Sequence, residues 1–240
     1  GSSDQGSSWQ EVVVDDGVVP IDRVIAFFPA TPTLAVGADG SIHVAFHDAR
    51  LGDADVWLWT SPGRGAPFGA PGRVNDTRRA DGTAQYLPKV AVAPDGRVDV
   101  LYYDRRDDPE NVLNGVSLQS SFDGGRTFSA RVRLSDRTFS SRVGFGSERD
   151  LPDLGSRLGL VSFDDRAHAV WTDTRSGTPA SNKQDLAHAV VRPSQASGWR
   201  TSVLIAGGLA AATGAMVLIW AAVGRRRPKT VLSERPVRRS

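Results

Sequence analysis

Three eight-residue segments recur at a near-constant interval, and that interval limits the possible folds more than any other feature of the chain. They read Ser2-Ser3-Asp4-Gln5-Gly6-Ser7-Ser8-Trp9, Ser61-Pro62-Gly63-Arg64-Gly65-Ala66-Pro67-Phe68 and Ser121-Phe122-Asp123-Gly124-Gly125-Arg126-Thr127-Phe128, with starts 59 and 60 residues apart. The first and third fit Ser-x-Asp-x-Gly-x-Thr/Ser-aromatic, and the second has lost its Asp. An Asp in such a turn accepts bonds from nearby backbone amides. The Gly supplies a left-handed conformation, and the aromatic is expected to plug the space beneath. Self-similarity at a fixed period marks a repeat architecture.

A second pattern keeps the same phase. Apolar runs flank Asp39-Gly40 and Asp95-Gly96, with Asp164-Asp165 in the corresponding place. Asp-Gly between short apolar runs signals a tight hairpin, because the turn needs positive φ. Eight positions after Gly40, Gly96 and Asp165 stand Asp48, Asp104 and Asp173, and two further on come Arg50, Arg106 and Arg175. A third strand is expected at 55–59, 116–118 and 185–191, and a fourth at 12–14, 73–74 and 132–134. The unit is therefore an antiparallel A-B-C-D meander.

These residues resemble the Asp-box, or BNR repeat, of the sialidase superfamily, whose members are six-bladed β-propellers. The resemblance rests on Ser2, Asp4, Gly6 and Trp9, on Ser121, Asp123, Gly125, Thr127 and Phe128, and on the three Asp-x-Arg hairpins, over roughly residues 1–191. It implies an all-β fold, a partial (open) propeller of four-stranded antiparallel blades within 1–192, with blade parts at 1–16, 32–76, 88–136 and 157–191. Closed propellers typically have about four to eight blades. A chain that starts inside a blade is expected to be the C-terminal fragment of such a protein, its last blade closed by a strand from the missing N-terminal part.

After a linker at 193–202, Val203 to Val223 form 21 residues without a charge, followed at once by Arg225, Arg226 and Arg227. About 20 apolar residues span a bilayer, and Trp199 and Trp220 stand near the ends, where aromatics favour the interface. One transmembrane α-helix is expected, with the lipid bilayer as its partner. The tail at 224–240 carries a net charge of +6 and the rest of the chain −4. The positive-inside rule places the tail in the cytoplasm and the propeller outside. The overall pI of about 9.3 is a property of that tail and gives no reason to expect nucleic acid. With no cysteine, a disulfide framework and a thiol metal site are excluded. Only three of 29 basic residues are lysine, a composition pointing to a GC-rich bacterial genome.

In the meander, turns alternate between two ends of each blade. Arg50, Arg106 and Arg175 close strand B, so they share an end with the D–A loops that hold Arg23, Arg78, Arg79, Tyr86, Arg142, Glu148 and Arg149. The resemblance makes this the substrate face, where a sialidase holds a sugar carboxylate with three arginines and uses a Tyr nucleophile paired with a Glu. Tyr86 and Glu148 are the candidates for that pair. The repeat pattern gives the competing reading. Arg50, Arg106 and Arg175 stand in identical register, each with an Asp two residues before it, as structural ion pairs would. His43, Asp99 and His168 occupy one repeat position, which fits a polar strand site better than a metal ligand. Asp104, Asp107, Asp108 and Glu110 lack calcium-loop spacing. No metal, no cofactor and no phosphate loop is expected. Two functions remain: a membrane-anchored extracellular propeller that binds a glycan or cell-surface protein, or an exo-α-sialidase or related glycoside hydrolase.

Overall fold

The structure, a computed structural model, describes residues 1–2, 4–21, 31–144, 154 and 158–195. All strands among the described residues lie in antiparallel sheets, within the unit that contains Gly1–Pro193. The first sheet has the order β1 (Thr33–Val36), β2 (Ile42–Asp48), β3 (Asp55–Ser61), β4 (Gly72–Arg73). The second runs β5 (Gln85–Val92), β6 (Val98–Asp104), β7 (Leu113–Ser121), β8 (Val132–Arg133), with β9 (Phe139–Ser140) paired to the start of β7. The third is β10 (Gly159–Ser162), β11 (Ala167–Asp173), β12 (Asp185–Val191).

The second sheet lies between the other two, and β6 records this in its sequence. Every residue of β6 is buried, because side chains alternate along a strand and both faces are covered. Val98, Val100 and Tyr102 pack with Ala45, Val56, Leu58 and Val74 of the first sheet and its edge. Leu101 and Tyr103 face the other way, into a cluster with Leu160, Ala167, Ala169 and Trp171 of the third sheet. Each large apolar side chain so buried contributes about 1.5–3 kcal/mol. In β11, burial alternates residue by residue. The outer face of the third sheet leaves Val161, Phe163 and Leu186 exposed, and the first sheet leaves Leu34 and Val36 exposed.

The hairpin turns are wider than Asp-Gly alone implies. Gly37 and Ser41 close the first turn, with Ser41 O accepting from Gly37 N at 2.8 Å, and only Gly40 has positive φ, at 86°. This is a three-residue loop ending in a left-handed glycine. The second turn repeats it, with Ala93 and Arg97 as the closing pair and Gly96 at 86°. The third turn loops only Asp164 and Asp165, between Phe163 and Arg166.

Two expectations for residues 1–16 fail. Residues 12–14 form no strand and pair with no strand among the described residues. Trp9 plugs nothing and is 76% exposed, whereas its counterpart Phe128 packs on the core between the first two sheets. The third sheet has no fourth strand among the described residues. No helix among them is long and apolar enough to cross a membrane. Residues 203–223, expected as the transmembrane segment, and the tail at 224–240 lie outside the described residues.

Candidate functional site

Arg50, Arg106 and Arg175 each bridge two carboxylates. Arg50 Nε lies 2.8 Å and 3.0 Å from the oxygens of Asp48, and its Nη2 lies 2.9 Å from Asp15 Oδ2. Arg106 Nε lies 2.8 Å from Asp104 Oδ2, and its Nη1 pairs with Asp76. Arg175 Nε lies 2.5 Å from Asp173 Oδ2, and its Nη1 pairs with Asp136. In each case one Asp ends the arginine's own B strand. The other follows the fourth-strand position of the preceding repeat. The carboxylates at the strand ends are nearly inaccessible, with side chains 1%, 0% and 5% exposed. Each arginine thus ties two successive repeats together.

The three members of the second set, Asp15, Asp76 and Asp136, were not singled out by sequence reasoning. The signal was present: they are 61 and 60 residues apart, the period of the eight-residue turns. Asp15 is further fixed by Trp59 Nε1 at 2.8 Å, and Arg50 Cζ lies 5.0 Å from the Trp57 ring centroid and 5.3 Å from that of Trp59. The charges respond accordingly. Bonds to Asp48 raise the Arg50 pKa above its ordinary value. Partial burial alone would raise Asp15 and Asp76, but the Gly17 amide, Trp59 and Arg50 outweigh it at Asp15, and Arg106 outweighs it at Asp76, so both lie below the usual carboxylate range.

Tyr86, expected on a ligand-face loop, belongs to β5 and is fully buried. Its hydroxyl donates to Asn114 Oδ1, and Arg105 Nη2 lies 3.4 Å away. The Arg105 guanidinium stacks 5.1 Å from the Tyr86 ring centroid. Burial pushes the Tyr86 phenol up, with Arg105 opposing it only in part. Beside it, burial holds His47 at a pKa of about 4, and its Nδ1 accepts from Leu87 N at 3.3 Å. This is a packed polar core, and a phenol so placed has no solvent-side approach for a sugar. Glu148, its expected partner, lies outside the described residues, as do Arg23 and Arg149.

The acidic loop after β6 is consumed internally. Asp104 accepts from Ser117 and pairs with Arg106 and Arg131, and Asp107 pairs with Arg131 and Arg133. Asp108 Oδ2 accepts from the Val112 and Leu113 amides at 2.8 Å and 2.6 Å. Among the described residues, no group of three or more His, Cys, Asp or Glu side chains is arranged to hold a metal. Of the shared repeat position, His43 bonds Ser41 and Thr60, Asp99 bonds Arg97, and His168 stacks on His188.

On the arginine side of the sheets a cleft of about 250 Å³ opens between the loop after β2 and the approach to β5. It is lined by Pro20, Ile21, Ala49, Gly52–Ala54, Thr83, Ala84 and Asn111. Among the described residues that line it, Asp53 is the ionisable one.

The eight-residue turns lie at the opposite end of the strands. Ser121 Oγ donates to Asp123 Oδ1 at 2.8 Å and accepts from Gly125 N at 2.8 Å. Asp123 accepts from Thr127 N at 2.9 Å and Thr127 Oγ1 at 2.6 Å. The turn at 2–9 repeats this, with Ser2, Asp4, Gly6 and Ser8 at matching distances. Gly125 has φ 90°, and a Cβ there would meet Leu58 Cδ2 of the first sheet at 2.5 Å, so only glycine fits. The Ser8 hydroxyl and amide hold Asp4 down at a pKa of about 2. Desolvation at Asp123 is overcome by the Thr127 bonds, to the same value.

No protein-family model matches the chain, and comparison with curated protein sequences finds no match. Solved structures do resemble it. A Fusarium graminearum α-L-arabinofuranosidase in complex with arabinobiose superposes with a TM-score of 0.51 at 15% identity, over 76% of this chain and 49% of that one. A Penicillium chrysogenum α-L-arabinanase gives 0.48 at 15% identity, over 73% and 49%. A Hadza microbial sialidase gives 0.43 at 13% identity, over 67% and 34%. The chain spans about half the length, or less, of these structures. The first of these likenesses marks the fold as all-β and propeller-like.

Proposed function

We propose that the chain contributes sialidase-like propeller blades, with Asp-box turns at 2–9 and 121–128, to an extracellular protein that binds a glycan or a cell-surface protein partner without catalysis of its own. A transmembrane helix at 203–223 anchors it as a single-pass protein, with the basic tail in the cytoplasm. The observation that carries the binding reading is the double pairing of Arg50, Arg106 and Arg175. A guanidinium fork that grips a sugar carboxylate must present free donors to it. Here each fork is already turned to a buried aspartate at the strand end and to a second aspartate of the preceding repeat. Glycan is the ligand class to test first because a fold of this kind carries arabinobiose in the α-L-arabinofuranosidase complex.

The test uses the full chain in detergent on a glycan array, with a fluorogenic sialoside assayed in parallel. Retention of a glycan without sialoside turnover is the expected result. Turnover that disappears on mutation of any of the three arginines would establish the exo-α-sialidase alternative instead.

A further inference from the structure

Building on the glycan-binding reading above, we propose that the cleft between residues 49–54 and 83–84 is a subsite for one uncharged sugar unit, with Asp53 and Asn111 binding its hydroxyls. Its volume of about 250 Å³ is just below the ~300–1,000 Å³ of drug-sized sites, so it suits a single ring. Its lining is mostly polar, the surface a sugar's hydroxyls prefer, with Pro20, Ile21, Ala49, Ala54 and Ala84 among the residues around it.

Two polar side chains are held in place with one side unused. Asp53 Oδ2 accepts from Gly82 N at 2.8 Å, which orients the carboxylate and leaves Oδ1 without a partner among the described residues. Asn111 Oδ1 accepts from Ala84 N at 2.9 Å, and its backbone carbonyl accepts from Arg105 Nη1 at 2.8 Å. Its Nδ2 has no partner among the described residues and is free to donate. An acceptor and a donor fixed by their other atoms match the paired hydroxyls of a sugar. The backbone around them is left-handed at Ala80 (φ 51°) and Asn111 (φ 54°).

Charge sets the class of sugar. An acidic sugar would bring its carboxylate beside Asp53. Arg50, which follows Ala49 of the lining, is already bound to Asp48 and Asp15, and Arg105 to Asn114 and the Asn111 carbonyl. A carboxylate desolvated beside another, with these two guanidinium groups already paired, is disfavoured. An uncharged polyol meets no such penalty.

Binding of arabinobiose, lactose and sialyllactose to the full chain in detergent, followed by ligand-observed NMR titration, tests this. At least one neutral disaccharide is expected to bind more tightly than sialyllactose. Asp53→Asn and Asn111→Asp keep the bonds to Gly82 N and Ala84 N, so each is expected to weaken that binding at least fivefold with an unchanged melting temperature. Preference for sialyllactose, or neutral binding unaffected by both substitutions, overturns the subsite while leaving the glycan-binding reading intact. Binding of none of the three sugars overturns both.

Discussion

Arg50 reaches across 35 residues of sequence to place Nη2 2.9 Å from Asp15 Oδ2, while the same nitrogen lies 2.6 Å from Asp48 Oδ2. Asp48 ends β2, and Asp15 belongs to the repeat before it, so one guanidinium joins two units that share no strand pairing. The same three-membered link recurs at Asp76–Arg106–Asp104 and Asp136–Arg175–Asp173.

Arg50→Ala should therefore destabilise the fold. It leaves Asp48, whose side chain is 1% exposed, without its cation. Removing one member of a buried pair costs about 3–5 kcal/mol, and the lower end applies because the Arg50 side chain is 19% exposed. Urea unfolding of parent and variant measures this, and a loss below about 1 kcal/mol, the scale of an exposed pair, would sink the link as a stabilising element.

A more deeply buried pair gives a second expectation. Arg97 and Asp99 have side chains 2% and 0% exposed. Arg97 donates to the Asp164 and Phe163 carbonyls of the third sheet and its turn at 2.6 Å and 2.7 Å, and Asp99 accepts from Ser162 at 2.7 Å. Asp99→Ala strands a charge between two sheets and should cost about 3–5 kcal/mol. Replacing both residues with apolar ones should restore much of the loss. Equal stability of the single and double variants would contradict the pairing.

The turn at 121–128 makes a prediction about acid. Asp123 has a folded pKa of about 2 against an ordinary value of 3.8. The unfolded chain therefore takes up its proton first as pH falls. The stability this group contributes is complete above about pH 4 and disappears on the way to about pH 2. Asp123→Asn should lower melting by a constant amount above about pH 4, and that deficit should shrink toward pH 2, so the pH dependence flattens in that window. A parallel shift at all pH values would show that the carboxylate's charge is not what the turn uses.

Much of the fold is legible in the sequence because its signals are local. Short apolar runs in 42–48 and 98–104, with Asp-Gly between them and the preceding runs, specify hairpins without reference to anything distant. The eight-residue turns are legible for the same reason, since Ser121, Asp123, Gly125 and Thr127 bond one another. What is not local was missed. Asp15 looks like an ordinary loop carboxylate until Arg50 arrives from the next repeat. Tyr86 reads as a loop residue because Pro88 interrupts its strand, and the register shift between Tyr86 and Lys89 accommodates that proline within β5. Trp9 has the right motif position but is covered by no sheet among the described residues.

The anchor proposed at 203–223 predicts a simple topology. Protease added outside intact cells should digest the blades and spare a short basic C-terminal fragment. Protection of the blades with loss of the tail would reverse the proposed orientation.

Melting and sialoside hydrolysis, measured together on the full chain and on Arg50→Ala, Arg106→Ala and Arg175→Ala, test most directly whether these arginines are inter-repeat links. A loss of about 3 kcal/mol corresponds to about 6–12 °C in a domain of this size. The account predicts melting temperatures lowered by that order in each variant, with hydrolysis no different from the parent. Unchanged melting with hydrolysis abolished would contradict it and make the three arginines a carboxylate-binding site.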